Sequence, residues 1–472
     1  MLLSVVGDMG SLFDICEPYR AYFLPHAPKG TRIERVGEAE VEFVEVTADD
    51  IELICSKLIE ARSRLAKRSA RSIAEALDEV ALAWLSDAFL FDGAVSAAEK
   101  VTGYSRGAIE LGLRNTLERL RFESLWEMLH EELREPAALD GWVKLSEDKR
   151  FRLTGHSLTL HVLAGNIPAI GITSIACALL SKSSSLVKVS FDEPVLTAMF
   201  AHALSRVDDE LASCIAVVNW HGGDEAIEST AFKRADAVIA YGSMETIQSI
   251  RNRLPPTKRF FPYGHKIGVG IIDSHCDLVD AAQRLANEMV MFDQQGCMSP
   301  HVVFVCGESG DEKRFAECLS SALEALPRKL LHSRYALERS ANIQSWRAVY
   351  MMAGAEVIAR RHLTEWTIVL LSEPIMGTLY ARHLTCPPRT VLLRSVQSIE
   401  ELRGEIEPFV GFISVAGCSI CKACEGELLD FLSSVGIPRI CALGEMQLPR
   451  KWWFHDGRPN VADLLIWVGA EF

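Results

Sequence analysis

The sequence predicts an α/β protein in which a parallel sheet with right-handed crossovers follows a helical N-terminal region. Three observations lead there. From about residue 151, short runs rich in β-branched residues alternate with helical runs, and strand, helix, strand repeated in this way builds a parallel sheet. Between about residues 49 and 134, apolar residues recur instead at three and four residue spacing, the signature of amphipathic helices. The chain's 472 residues suffice for two or three domains, since a single core stops growing at roughly 250 to 300 residues.

Residues 1–50 are punctuated by Gly and Pro, and the run 41–46 reads as a strand although Phe43 and Val44 interrupt its alternation. Ile51, Ile54, Leu58 and Ile59, then Ile73, Ala76, Leu77, Val80, Ala81, Trp84 and Leu85, carry the helical period. The runs 158–163, 185–190, 215–220, 235–241 and 267–272 read as strands, with helices at 169–180, 195–204, 224–232 and 244–254 between them. A further amphipathic helix is expected at 277–292 and a strand at 301–306, so that residue 297 falls on a helix-to-strand loop. A second α/β segment continues to about 443, and the tail from 452 holds a short apolar run at 464–467. The division expected is a helical region over 1–150, a nucleotide-binding domain over 151–275, a catalytic domain over 276–445, and a tail over 446–472. The tail should return to the nucleotide-binding domain or enter an oligomer interface. No G-x-G-x-x-G fingerprint is present, so the usual dinucleotide motif is not claimed.

A net charge of −14 argues against a general nucleic-acid or anionic-membrane surface, which calls for a basic field. Arg251, Arg253, Lys258, Arg259 and Lys266 form a local basic stretch, read as a solvated surface or a phosphate-facing patch. The longest apolar run, 169–180, includes Thr173 and Ser174 and falls short of the roughly 18 to 20 residues a membrane span needs. The N-terminus lacks the charged start and apolar core of a signal peptide. Thirteen cysteines, an odd number scattered through apolar segments, fit a reducing compartment. A cytoplasmic location is the expectation.

Several short stretches have the residue types that chemistry needs. Cys297 lies in Asp-Gln-Gln-Gly-Cys-Met-Ser-Pro at 293–300, either a buried loop thiol or a nucleophile. Asn166, in Ala-Gly-Asn-Ile-Pro at 164–168, caps a turn or donates to a developing oxyanion. Lys188, alone in the apolar run Leu-Val-Lys-Val-Ser at 186–190, snorkels at a strand end or reaches a phosphate or ribose. Gly242 and Ser243 make a strand-to-helix junction that is a plain cap or a pyrophosphate-facing helix start. His265 satisfies a backbone partner at a turn or donates a proton. Cys418, Cys421 and Cys424 form C-x-x-C-x-x-C, with Cys441 as a fourth thiol. Steps of three place the triplet on one face of a helix that Leu428, Leu429, Phe431 and Leu432 continue, so core packing is expected and no metal.

Taken in order with Trp-His-Gly-Gly-Asp at 220–224, Tyr-Gly-Ser at 241–243, Tyr-Gly-His-Lys at 263–266 and His-Asp-Gly at 455–457, these stretches resemble the fatty acyl-CoA reductases of the LuxC family. That family lies within the aldehyde dehydrogenase superfamily. The resemblance spans residues 150–472 and implies an aldehyde-dehydrogenase-like fold, with a Rossmann-type cofactor domain and an α/β catalytic domain. It implies that Cys297 is the nucleophile, Asn166 the oxyanion-hole amide, and Lys188 the ribose contact, with Ser190, Gly223, Gly242 and Ser243 in the cofactor site. His265 is carried as a further catalytic candidate. The implied reaction is reduction of an acyl thioester, on acyl-CoA or an acylated partner protein, to an aldehyde through an acyl-Cys297 intermediate. A homo-oligomer is implied as well.

Two departures from the superfamily pattern sharpen this expectation. Pro262 stands where oxidising members carry a general-base Glu, which suits thioester reduction better than hydrolysis. Phe191 stands where NAD-preferring members hold a ribose-binding Glu, which removes repulsion against a 2′-phosphate and leans toward NADPH, with Asp192 next door pulling the other way. The alternatives are a cysteine-dependent acyltransferase or thioesterase without hydride transfer, and a non-catalytic acyl-transfer subunit.

Overall fold

A computed structural model of the chain describes residues 17–327, 330, 337–360, 366–378, 380–449 and 452–472. The N-terminal segment begins with a small sheet, of which the sequence predicts one strand, at 41–46, that overlaps the third. Its strands are β1 (Tyr19–Arg20), β2 (Thr31–Val36) and β3 (Ala39–Val44), in the order β1-β3-β2. Helices α1 (Ala48–Leu65), α2 (Ala70–Ser86), α3 (Ala88–Thr102), α4 (Arg106–Arg119) and α5 (Phe122–Glu132) follow. Their starts are written locally: Thr47 and Asp50 form a capping box on α1, and Ser69, Asp87 and Ser105 cap α2, α3 and α4.

The first large sheet has β6 (Leu158–Val162), β7 (Ser184–Lys188), β8 (Ile215–Val218), β9 (Ala237–Tyr241) and β10 (Arg259–Tyr263), all parallel, in the order β10-β9-β6-β7-β8. Helices α6 (Ile170–Leu180), α7 (Leu196–Val207), α8 (Asp209–Ala212), α9 (Glu225–Arg234) and α10 (Met244–Arg253) connect these strands. The sheet is buried on both faces, as crossover connections require. Ile51, Ile54 and Leu58 of α1 pack with α9 and α10 on one face. Leu77 and Trp84 of α2 pack with Ile172 of α6 and Phe200 of α7 on the other.

The second sheet has β11 (Ile267–Asp273), β12 (Pro300–Cys306), β13 (Glu356–Ala359), β14 (Thr367–Leu371), β15 (Thr390–Val396), β16 (Ile413–Ser419) and β17 (Ile440–Ala442). Its order is β13-β14-β15-β12-β11-β16-β17, parallel except for the β13–β14 pair. Helices α11 (Leu278–Val290), α12 (Asp311–Ala325), α13 (Leu337–Met352), α14 (Tyr380–His383), α15 (Ile399–Ile406) and α16 (Lys422–Ser434) cover it. A third, antiparallel sheet joins β4 (Val143–Lys144) and β5 (Lys149–Gly155) to β18 (Leu465–Glu471), in the order β18-β5-β4. No single helix among the described residues is long and apolar enough to cross a membrane.

Three sequence expectations change here. The strand at 267–272, expected in the nucleotide-binding segment 151–275, is β11 and pairs with β12 and β16 in the second sheet. Every residue of β11 is buried, and a side chain at Gly270 would lie 2.9 Å from Val303, so this strand suits the middle of the larger sheet. The helix expected over 277–292 ends at Val290, and a 3₁₀ turn at Met291–Gln294 replaces its last turn. The cysteine triplet does not share one helical face: Cys418 is on β16, Cys421 caps α16, and Cys424 is exposed in its first turn. The change from strand to helix separates residues that a continuous helical period would align.

Candidate active site

The strand order of the first sheet reverses between β6 and β9, and in open parallel sheets the crevice at such a point, off the C-terminal strand ends, is where ligands bind. A cleft opens there and reaches Cys297. Asn166, Lys188, Ser190, Gly242, Ser243 and His265 all line it. Gly223 is not part of this lining; it occupies an exposed turn before α9, at φ +90° with open space around its Cα. Lys188 ends β7, and burial lowers its pKa while Glu228 and Asp192 oppose that change. Among the described residues its ammonium has no hydrogen-bond partner. The Asp192 amide donates to Ser190 Oγ at 3.2 Å, and the Thr246 amide donates to Ser243 Oγ at 3.3 Å, capping α10. Gly165 is required by closeness: a Cβ there would sit 2.5 Å from Asp192 Cβ.

The loop carrying Cys297 is fixed from several sides. Phe292, Asp293 and Gln294 have φ of 47°, 51° and 63°, three successive non-glycine residues in the left-handed region. The buried Asp293 carboxylate accepts from Arg389 Nη2 at 2.7 Å and Nε at 3.1 Å. Phe292 lies against α4 at Gly112, where a Cβ would come within 2.3 Å of its ring. Asn166 Nδ2 donates to the Gln295 carbonyl at 2.8 Å, and Tyr104 Oη donates to the Asn166 carbonyl at 3.0 Å. A primary amide has two N–H bonds, so the second is left for a ligand beside Cys297. Ser414 Oγ donates to the Cys297 carbonyl at 2.6 Å. Behind the loop, the Met446 and Gln447 amides donate to Glu288 at 2.6 and 3.1 Å, and Ser299 Oγ donates to Gln447 Oε1 at 2.8 Å. Burial pushes the Glu288 carboxyl up to about 7 against those hydrogen bonds.

Cys297 also lines a second, mostly apolar cavity between α4, α6 and the C-terminal segment, with Ile167, Phe292, Leu448 and Trp452 among its walls. Burial pushes the Cys297 thiol up to about 12, and the Asp456 carboxylate adds to the rise; the amides of Cys297 and Met298 and the charge of Lys266 oppose it. His455 lines both spaces and stacks on Tyr263, ring centroids 4.4 Å apart, while Tyr263 stacks on Tyr241 at 4.8 Å. Burial lowers the His455 pKa, and the Asp456 carboxylate opposes that change.

His265 lines the cleft with Nε2 donating to the Leu384 carbonyl at 2.7 Å. Pro262 lies on β10, and the acidic residues lining the cleft are Asp192 and Asp456. The basic stretch is engaged by protein: Lys258 donates to the Lys233 carbonyl, Arg259 to Leu465, Lys266 to Gly411, and Arg253 pairs with Glu228. Residue-by-residue reading did not select Tyr104, Arg389, Ser414, His455 or Asp456. Only the His-Asp-Gly motif gave any sign of the last two.

The fold is aldehyde-dehydrogenase-like. Indole-3-acetaldehyde dehydrogenase of P. syringae, solved with NAD+, superposes with a TM-score of 0.72 at 13% identity, covering 96% of this chain and 96% of that one. Long-chain acyl-protein thioester reductase of Photorhabdus luminescens is 25% identical over 357 residues, 74% of this chain and 70% of that protein. Long-chain acyl-protein thioester reductase 2 of Photobacterium leiognathi is 26% identical over 372 residues, 74% of this chain and 71% of that protein. A family model described as acyl-CoA reductase (LuxC) matches residues 65–467, and the chain accordingly belongs to the acyl-CoA reductase (LuxC) family.

Proposed function

We propose that the protein reduces an acyl thioester to an aldehyde with NADPH, through an acyl-Cys297 intermediate. The observation that carries this reading is the position of Cys297 at the junction of two spaces, a polar cleft off a parallel sheet and an apolar cavity. The cleft suits a dinucleotide and the cavity an acyl chain. The cleft also offers groups that a nicotinamide dinucleotide would satisfy: the half-buried Lys188 side chain, and Asp456 Oδ1, a buried oxygen without a partner. When bound, the cofactor supplies the hydride.

The chain's own residues account for the rest. Cys297 attacks the thioester carbonyl, its S–C bond forms, and the donor thiol leaves with the proton that Cys297 gave up. His455, which lines the same two spaces as Cys297, relays that proton to the departing thiolate. Asn166 and the Cys297 amide stabilise the oxyanion, an effect worth roughly 3 to 4 kcal/mol per donor in comparable sites. Once the acyl carbon has been reduced, its bond to Cys297 Sγ breaks, the aldehyde leaves, and the Cys297 thiolate takes up one proton from solvent to restore the thiol. Phe191, stacked on His221 at 4.6 Å, brings no carboxylate of its own to the cofactor cleft, which supports NADPH over NADH, while Asp192 in the cleft lining weighs the other way. The relatives' names support an acylated protein as donor, with acyl-CoA as the other form of the same thioester chemistry. Exposed Ile466, Trp467 and Val468 on β18 support self-association, and unbridged thiols at all twelve described cysteines support a cytoplasmic location.

The test is oxidation of NADPH, with NADH alongside, across acyl-CoA lengths, together with covalent labelling by a radioactive acyl-CoA. Cys297→Ala should lose both reduction and labelling. Undiminished turnover in that variant ends the reading. Labelling of Cys297 in a protein that binds no nicotinamide cofactor turns it into an acyltransferase or thioesterase instead.

A further inference from the structure

A second cluster of chemical donors lies at the end of β11 remote from Cys297. The strand starts beside Lys266 in the cleft and ends at Asp273, about 20 Å away at roughly 3.3 Å per residue. From β11 the neighbouring strands are β12 on one side and β16 on the other, so this C-terminal edge is the switch point of the second sheet, the place where open α/β sheets hold ligands. Asp273, Cys421 and Cys424 meet there, with one donor atom from each lying within 4.8 Å of the other two.

The details suit a metal better than packing. The two sulfurs of Cys421 and Cys424 are 3.5 Å apart, and a tetrahedral ion with Zn–S bonds of about 2.3 Å holds two thiolates about 3.8 Å apart. Asp273 is 7% exposed. Its Oδ1 accepts from the His275 amide and from His275 Nδ1, both at 2.9 Å, and its Oδ2 accepts from the Cys421 amide at 3.4 Å. Such outer hydrogen bonds orient a ligating carboxylate. Cys421 is the N-cap residue of α16 and Cys424 lies in its first turn, so the two thiols are held on one short stretch of backbone. A divalent cation bound there would displace the two thiol protons and set its charge beside the buried carboxylate.

We propose that Asp273, Cys421 and Cys424 bind a thiophilic divalent cation, zinc in the first instance, with solvent completing its coordination. This replaces the sequence expectation of no metal, and it stands independently of the reductase reading. Soft thiolate donors select zinc over magnesium or calcium.

The test is titration of the reduced, chelator-treated full-length protein with Co2+ under anaerobic conditions. One equivalent should bind, giving thiolate-to-cobalt charge transfer and the strong visible bands of tetrahedral cobalt, both displaced by Zn2+. Cys424→Ser, at an exposed position, should lose the charge-transfer intensity and weaken binding by about tenfold or more, with the far-ultraviolet circular dichroism unchanged. Cys297→Ser should keep the bands. Absence of tetrahedral bands, bands that survive Cys424→Ser, or bands that vanish in Cys297→Ser would each overturn the proposal. So would a reduced protein whose affinity for cobalt is no higher than that of the Cys424→Ser variant.

Discussion

Asp456 sets the resting reactivity of the thiol it faces. Burial and, after it, the Asp456 carboxylate together hold the Cys297 thiol near 12, so at neutral pH the thiolate fraction is small and grows about tenfold for each unit by which the pKa falls. Asp456→Asn removes a negative charge, lowers the thiol pKa, and should speed alkylation of Cys297 by iodoacetamide several-fold at fixed neutral pH. Peptide mass spectrometry reads the rate at that residue, and an unchanged rate would show that the carboxylate does not act on the thiol. Cys297 and Asn166 were singled out because their motifs, taken in order, resemble the LuxC family; local sequence alone left a buried loop thiol and a capping amide open. Asp456 was not, because nothing local in His-Asp-Gly says that the chain returns to the loop at 293–300.

The turn at Met291–Gln294 shows what an element can hold that its own sequence does not specify. Three successive left-handed residues cost of order 1 to 3 kcal/mol each, and the turn persists because Arg389, 96 residues away, closes on Asp293 at the start of β15. Both side chains are almost completely buried. Removing one partner leaves a buried charge, so Arg389→Met should lower unfolding free energy by about 3 to 5 kcal/mol, with the double variant Asp293→Asn, Arg389→Met losing less. Denaturant titration measures this; a loss below about 1 kcal/mol in the single variant would assign the turn's stability elsewhere. The amphipathic period of 277–292 announced α11 correctly in kind. It ran on through the turn because periodicity registers burial, and Phe292 and Asp293 are as buried as the helix they follow.

The two large sheets meet so that the C-terminal edge of the first faces the N-terminal edge of the second, and Glu288 ties the segment at 446–447 to that junction. Its carboxyl has a folded pKa of about 7 against an ordinary 4.5. A carboxyl raised in this way contributes stability that is full below the unfolded value and is lost as pH rises through the folded one. Relative to the parent, Glu288→Gln should therefore gain in Tm between about pH 5 and about pH 7 and then level off; a flat difference would mean that Glu288 titrates normally. The α/β class and the helical N-terminal region were legible from alternation and period. The assignment of β11 to the second sheet was not, since an apolar strand does not name its neighbours. Nor does sequence order announce that Leu465 of β18 pairs with Gly155 of β5. That pairing spans about 310 residues, so at roughly 5 to 20 residues per second a nascent chain carries an unpaired β5 edge for about 15 to 60 s. During synthesis, this edge is where a holding chaperone would have most to protect.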